Sequence, residues 1–253
     1  MTQRVLVTAG AAGIGFEIAR AFHSQGASVV ICDVDEKALG TATSELAGIR
    51  GVRCDVSNPA DVERMIDECR STLGGLDVLV NNAGIAGPTA PVEEVDPGQW
   101  EAVMKVDLTG TFLVTRAAVP LLKESKAGCI IVMSSVAGRF GYADRIPYST
   151  AKWGLIGFTK TLAIELGEFG IRANAILPGA VAGPRIERVF EGRAEVSGKP
   201  VDEVRKEAMA VQSIKRLVDP KDIAALAVFL ASDAAKSISG QMLPIDNDMQ
   251  QAS

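Results

Sequence analysis

Tyr148 and Lys152 stand four residues apart in Tyr148-Ser149-Thr150-Ala151-Lys152, a spacing that puts a phenol and an ammonium on one helical face. Taken alone, such a pair is as easily a solvated surface contact as a proton-transfer device. Just upstream, Ser134-Ser135 closes an apolar run and offers hydroxyl donors. Near the N-terminus, Thr8-Ala9-Gly10-Ala11-Ala12-Gly13-Ile14-Gly15 is a turn of small residues between an apolar run and a helical pattern. Small residues there let the backbone approach a pyrophosphate, whose charge the N-terminus of the helix stabilises. A tight turn needs glycine for purely structural reasons as well. Asp33 follows Gly15 by 18 residues, at the end of the next apolar run. A carboxylate so placed accepts hydrogen bonds from the ribose hydroxyls of NAD, or it simply ends a strand in a turn.

The elements that must position these groups alternate along the whole chain. Strands are predicted at Val5–Thr8, Ser28–Asp33, Gly51–Asp55, Asp77–Asn81, Cys129–Ser134, Ile171–Leu177 and Gln241–Asp246. Helices are predicted at Ile14–Gln25, Glu36–Leu46, Pro59–Leu73, Trp100–Lys123, Tyr148–Phe169 and Pro220–Ala231. Strand and helix in alternation imply right-handed crossovers and a doubly wound parallel α/β sheet of about seven strands, covered by helices on both faces. The strands read as continuous apolar runs, as strands buried on both faces do. One stretch breaks the rhythm: Pro184 to Val218 separates a strand from the next helix by about 35 residues, against the usual 2–6. It reads as an insertion in a single domain spanning residues 1–253, either a solvated helical pair or, the reading favoured here, a lid over the site.

Composition narrows the classes. With 253 residues, 47% of them hydrophobic, and a net charge of −5, the chain has apolar material for a full core and no basic stripe for a nucleic acid. No run of 18 apolar residues suggests a membrane span, and the N-terminal run is too short for a secretory signal, so a cytoplasmic protein is expected. Cys32, Cys54, Cys69 and Cys129 form no CxxC pair and read as small core residues. His23 is the single histidine, which leaves no basis for a zinc site or a histidine triad, and no metal is expected.

Taken together, these landmarks resemble the short-chain dehydrogenase/reductase family over essentially the full chain. The cofactor turn, Asp55-Val56 after the third strand, Asn81-Asn82-Ala83-Gly84 after the fourth, Ser135 with Tyr148 and Lys152, and Asn174-Ala175-Ile176-Leu177-Pro178-Gly179 appear in the family's order. The resemblance implies a nicotinamide-dependent oxidoreductase: Tyr148 exchanges a proton with the substrate oxygen, Ser135 hydrogen-bonds that oxygen, and Lys152 holds the nicotinamide ribose. It also implies that Gly10, Gly13, Ile14, Gly15, Asp33, Asp55, Val56, Asn82, Ala83, Gly84, Pro178, Gly179 and Val181 bind the cofactor, and that the chain assembles as a homotetramer. The apolar, nearly all-round stretch Trp153–Phe158 fits burial against a symmetry mate. A phenol with an ordinary pKa of about 10 must be shifted by roughly three units, about 4 kcal/mol, to act as a base near neutrality. A neighbouring ammonium and a positive nicotinamide ring are suitable sources.

Three residues depart from the family pattern. Ala9 replaces the first glycine of the turn, and Gly183 stands where threonine is frequent. Asp107 takes the place of a catalytic asparagine; it either preserves a relay through its backbone carbonyl or pairs its charge with Lys152. The reading reached is an NAD-dependent oxidoreductase acting on a secondary alcohol or ketone, with a small polar or anionic alcohol or a polyol as substrate. A 3-oxoacyl thioester reductase is the alternative, opposed by Asp33 and by the lack of a basic group at Ala12 or Val34 to hold a 2′-phosphate. A catalytically impaired nucleotide-binding regulator is the remote one. Arg145 and Arg139, in the loop before Tyr148, are candidates to grip an anionic substrate, with pairing of Arg145 to Asp144 or to a neighbouring subunit as the structural alternative.

Overall fold

The computed structural model describes residues 2–125 and 127–251. Seven strands form one parallel sheet: β1 Arg4–Thr8, β2 Ser28–Asp33, β3 Arg50–Arg53, β4 Val78–Asn81, β5 Cys129–Met133, β6 Arg172–Pro178 and β7 Met242–Ile245, in the order β3-β2-β1-β4-β5-β6-β7. Every pairing is parallel. Side chains alternate between the two faces: Val5, Val7, Val78, Val80 and Ile131 enter one core, while Leu6, Leu79, Ile130 and Val132 enter the other. Both faces are covered, which is why the central strands are apolar throughout.

The helices are α1 Gly13–Ser24, α2 Glu36–Glu45, α3 Pro59–Leu73, α4 Pro97–Val103, α5 Thr111–Glu124, α6 Ile146–Glu165, α7 Pro184–Ser197, α8 Val201–Ala210 and α9 Pro220–Ala231. Local chemistry sets several boundaries. Asn58 caps α3 by accepting from the backbone N–H of Ala60 and Asp61, Pro59 opens the helix, and Gly74 ends it in the left-handed conformation. Asp219 and Pro220 do the same at the start of α9.

Three elements differ from expectation by more than one residue at a boundary. The third strand stops at Arg53 because Asp55 lies in a turn, its carboxylate accepting from the N–H and hydroxyl of Ser57. The helix expected from Trp100 starts at Pro97 behind an Asp96 cap, and its course is interrupted by π-helical turns over Met104–Gly110 that carry Asp107. The helix expected to run to Phe169 ends at Glu165, followed by a 3-10 turn.

Chain order reverses between β1 and β4, the place where open α/β sheets form a crevice at the carboxyl ends of their strands. The ends of the long insertion meet beside it: Ala182 N–H donates to Val218 O, and Val218 N–H to Ala180 O. Between them α7 and α8 share a small core of Phe190, Ala194, Val204 and Ala208.

Candidate active site

At the switch point the glycine turn is held by Asn82. Its backbone N–H donates to Thr8 Oγ1, and its side-chain amide donates to the carbonyls of Thr8 and Ala9. Ala83 N–H adds a second bond to Thr8 Oγ1. Gly15 is required by closeness: a Cβ there would lie 2.1 Å from Ala9 O and 2.5 Å from Asn82 Nδ2. Gly10 packs against Ile31. Ala9 adopts φ +47°, so alanine occupies a left-handed position at the family's first glycine. No side chain caps α1 at Ala12, and no acidic residue sits in its first turn, so the helix's own residues leave its positive end open. Asp33 faces this turn, its carboxylate oxygens 3.4 Å from Ala11 N and 3.2 Å from Asp35 N.

A cleft of about 580 Å³ runs from this turn across the sheet to α7. Gly13, Ile14, Asp33, Asn82, Gly84 and Ser135 line it, together with Tyr148, Lys152, Pro178, Gly179 and Val181. These eleven catalytic and cofactor residues, all expected, converge from six separate segments on one cavity. Gly10, Gly15 and Ala83 do not line it and instead shape the turn. Asp55 and Val56 do not line it; Val56 is buried against Gly110. Among the described residues no group of three or more metal-ligating side chains occurs. All four cysteines are free and buried, with burial raising the Cys69 thiol to about 12 and that of Cys129 to about 11.

Ser135 Oγ accepts from Ala137 N–H, which orients the hydroxyl at the end of β5. Lys152, 3% exposed, donates to Met133 O at 3.2 Å. Behind it Asp107 is wholly buried. Its Oδ1 accepts from Ile85 N–H at 2.7 Å, and its Oδ2 lies 3.2 Å from Lys152 Nζ, a charge contact without hydrogen-bond alignment. The Asp107 carbonyl accepts from the Thr111 hydroxyl at 2.8 Å. Of the two expectations for Asp107, the charge pair with Lys152 is present in the geometry. Burial pushes the Tyr148 phenol up, but Lys152, Arg185 and the Ser135 hydroxyl outweigh it, and Tyr148 lies below the ordinary tyrosine value. Asp107 works against them.

The loop before Tyr148 corrects both arginine expectations. Arg139 does not line the cleft; half exposed, it stacks on Phe140 and faces Asp246 at 3.8 Å. Arg145 does line it but, among the described residues, pairs with no carboxylate, Asp144 included. Its guanidinium donates to Thr89 Oγ1 at 3.0 Å and Ala86 O at 2.8 Å, so the two-point fork is used on the protein's own loop. Gly183 has φ +141°, which excludes a β-branched side chain and accounts for the missing threonine. Sequence reasoning missed Arg185 and Tyr142. Arg185 donates to Gly84 O at 2.9 Å, and its guanidinium carbon lies 5.8 Å from the Tyr148 ring.

The family model described as enoyl-(acyl carrier protein) reductase, a short-chain dehydrogenase/reductase model, matches residues 9–249. The chain belongs to the short-chain dehydrogenase/reductase family. Within that family it is 37% identical over 247 residues to D-beta-hydroxybutyrate dehydrogenase of Cupriavidus necator, covering 95% of each chain. It is 40% identical over 248 residues to cis-4-hydroxycyclohexanecarboxylate dehydrogenase of Sinomonas cyclohexanicum, covering 96% of this chain and 95% of that one. The solved structure of NAD+-bound xylitol dehydrogenase superposes with a TM-score of 0.92 at 28% identity, over 96% of this chain and 97% of that one. This short-chain dehydrogenase/reductase is an oxidoreductase acting on CH–OH groups with a nicotinamide cofactor, as expected from its residues.

Proposed function

We propose that the protein interconverts small polar secondary alcohols and their ketones with NAD(H) in preference to NADP(H). The carrying observation is the convergence of Tyr148, Ser135 and Lys152 with the glycine turn and Asp33 in one cleft. The cofactor fits what is built there. The uncapped N-terminus of α1 beside Gly13 and Ile14 would receive the pyrophosphate, and Asp33 the adenosine ribose hydroxyls. Lys152 would hold the nicotinamide ribose, with Asn82, Gly84, Pro178, Gly179 and Val181 completing the walls. When bound, NAD+ accepts a hydride from the carbinol carbon.

The protein's part is the proton. Ser135 donates a hydrogen bond to the substrate oxygen, and the Tyr148 phenolate takes the hydroxyl proton as the carbonyl forms; in reduction Tyr148 returns it. Lys152 holds the phenolate form, and Asp107 positions Lys152. The insertion, with α7 contributing Arg185 and Arg188 to the cleft, serves as a lid that excludes water during the transfer. The acyl thioester reductase alternative, expected to use NADPH, is opposed by Asp33, with Val34 and Ala12 supplying no cation for a 2′-phosphate.

A homotetramer is supported by Phe112, Trp153 and Ile164, exposed by 47%, 50% and 82% on α5 and α6. Among the described residues no helix is long and apolar enough to cross a membrane, and this, with four unpaired thiols, favours a cytoplasmic location. The test is a panel of secondary hydroxy acids, polyols and simple alcohols with each cofactor, read as reduced-nicotinamide absorbance. Turnover with NAD+ well above that with NADP+ is expected. Absence of turnover with either cofactor overturns the proposal.

A further inference from the structure

Three arginines, Arg145, Arg185 and Arg188, line the end of the cleft under α7, and a fourth, Arg193, lies behind Tyr142. Arg145 is 3% exposed, and its Nε is buried with no acceptor. Its guanidinium carbon lies 5.2 Å from the Tyr148 ring, and that of Arg185 lies 5.8 Å from the same ring. The guanidinium carbon of Arg193 is 5.5 Å from the ring of Tyr142, which also lines the cleft. Arg188 lines the cleft too, one helical turn beyond Arg185 and on the same face of α7. Among the described residues none of the four forms an ion pair with a carboxylate.

This is not a shortage of acids on the lid. Glu187 is taken by Arg205, and Glu203 and Glu207 by Lys199. Asp107, the acid nearest Tyr148 on its inner side, is occupied by Lys152. Burial lowers the Arg145 pKa, Tyr142 and Tyr148 work against it, and the like-charged neighbours Arg185 and Arg193 lower it further. Arg185 and Arg188 are exposed at the mouth of this end of the cleft with no carboxylate partner among the described residues, so an arriving anion finds two free guanidinium groups beside the buried Arg145. The remaining lid surface toward the cleft is apolar, from Ile186, Val189 and Phe190, with few partners for the many hydroxyls of a sugar.

We propose that the substrate is a compact hydroxy acid: a secondary alcohol whose carboxylate is received by Arg188 and Arg185 from the lid, with a hydrocarbon body against α7. This rests on the dehydrogenase reading and narrows it to one substrate class.

The test compares short hydroxy acids with their uncharged amides, which keep the same carbinol, in NAD+-dependent oxidation by the intact protein. A kcat/KM preference for the acid of roughly 10- to 100-fold is expected, the range for a charge-assisted contact. Arg188→Gln should collapse that preference through a higher KM for the acid, and Arg188→Lys should restore part of it. Equal use of acid and amide, or preference for a polyol, overturns the hydroxy-acid assignment and leaves the dehydrogenase reading standing. Turnover of neither acid nor amide, nor of the polyols and simple alcohols, with either cofactor sinks that reading instead. The anion site is then decided by calorimetric titration of the NADH complex with the same acids: saturable binding that Arg188→Gln removes supports it, and no saturable binding overturns it.

Discussion

Lys152 Nζ and Asp107 Oδ2 lie 3.2 Å apart, with side chains 4% and 0% exposed. A charged pair this deep survives because each partner is also held elsewhere: Asp107 by the Ile85 N–H and Lys152 by the Met133 carbonyl. The same ammonium lowers Tyr148, so the carboxylate restrains the cation on which the phenol depends.

Asp107→Asn should therefore move the pH profile of alcohol oxidation to lower pH. The carboxylate raises Tyr148, its removal lowers the phenol further, and the base form becomes available earlier as pH rises. Asparagine keeps an acceptor for Ile85 N–H. An unchanged profile would leave Asp107 with only its backbone carbonyl to contribute.

Arg185→Gln should do the reverse. Arg185 lowers Tyr148 across 5.8 Å, so its loss raises the phenol and shifts the oxidation profile to higher pH. Profiles of both variants under single-turnover conditions, where chemistry is observed directly, check the opposite signs.

Tyr148→Phe should lower kcat by about 10²–10⁴-fold or more, the scale of a lost acid/base group. Binding of NADH, followed by its fluorescence, should change little, because the hydroxyl acts on substrate. Retained turnover would remove Tyr148 from the proton path.

Asp33→Ala should narrow the preference for NAD over NADP. A 2′-phosphate charge at about 4 Å from the carboxylate costs on the order of 4 kcal/mol at an effective dielectric near 20. Comparison of kcat/KM for the two cofactors in both proteins checks this, and comparable wild-type values would contradict it.

Ala9 offers a stability test. At φ +47° an L-residue costs about 1–2 kcal/mol, whereas glycine adds roughly 0.5–1 kcal/mol of freedom to the unfolded chain. Ala9→Gly should thus stabilise by no more than about 1.5 kcal/mol, and Ala9→Val, with a stiff branched side chain, should destabilise. Urea unfolding midpoints decide the signs.

How much was legible in the sequence differs by element. Strands β1, β2, β4 and β5 announce themselves because burial on both faces confines polar residues to their ends. Helices α3 and α9 are bounded as read because an Asn or Asp cap followed by proline is a local signal. The Tyr148–Lys152 pair and the glycine turn are likewise local patterns, and the sheet topology that unites them follows from the βαβ rhythm.

Other features lie beyond any local pattern. Arg145 looks available for substrate until the fold brings Ala86 and Thr89, 59 and 56 residues away, against its guanidinium. Arg139 turns instead to Asp246 on the last strand's loop. The π-helical turns that set Asp107 beneath Lys152 arise where α4, α5 and α6 pack together, and helical periodicity carries no mark of them. Arg185 and Arg188 belong to an insertion whose sequence is merely amphipathic and mixed in charge. Their place over the cleft is decided by the closure of residues 180–182 on Val218 and by the burial of Phe190. The residue types that could do the chemistry, and their order, were thus properties of the chain. Which charges stay uncompensated at the site was decided by contacts between residues distant in sequence, because electrostatic pairing depends on distance in space.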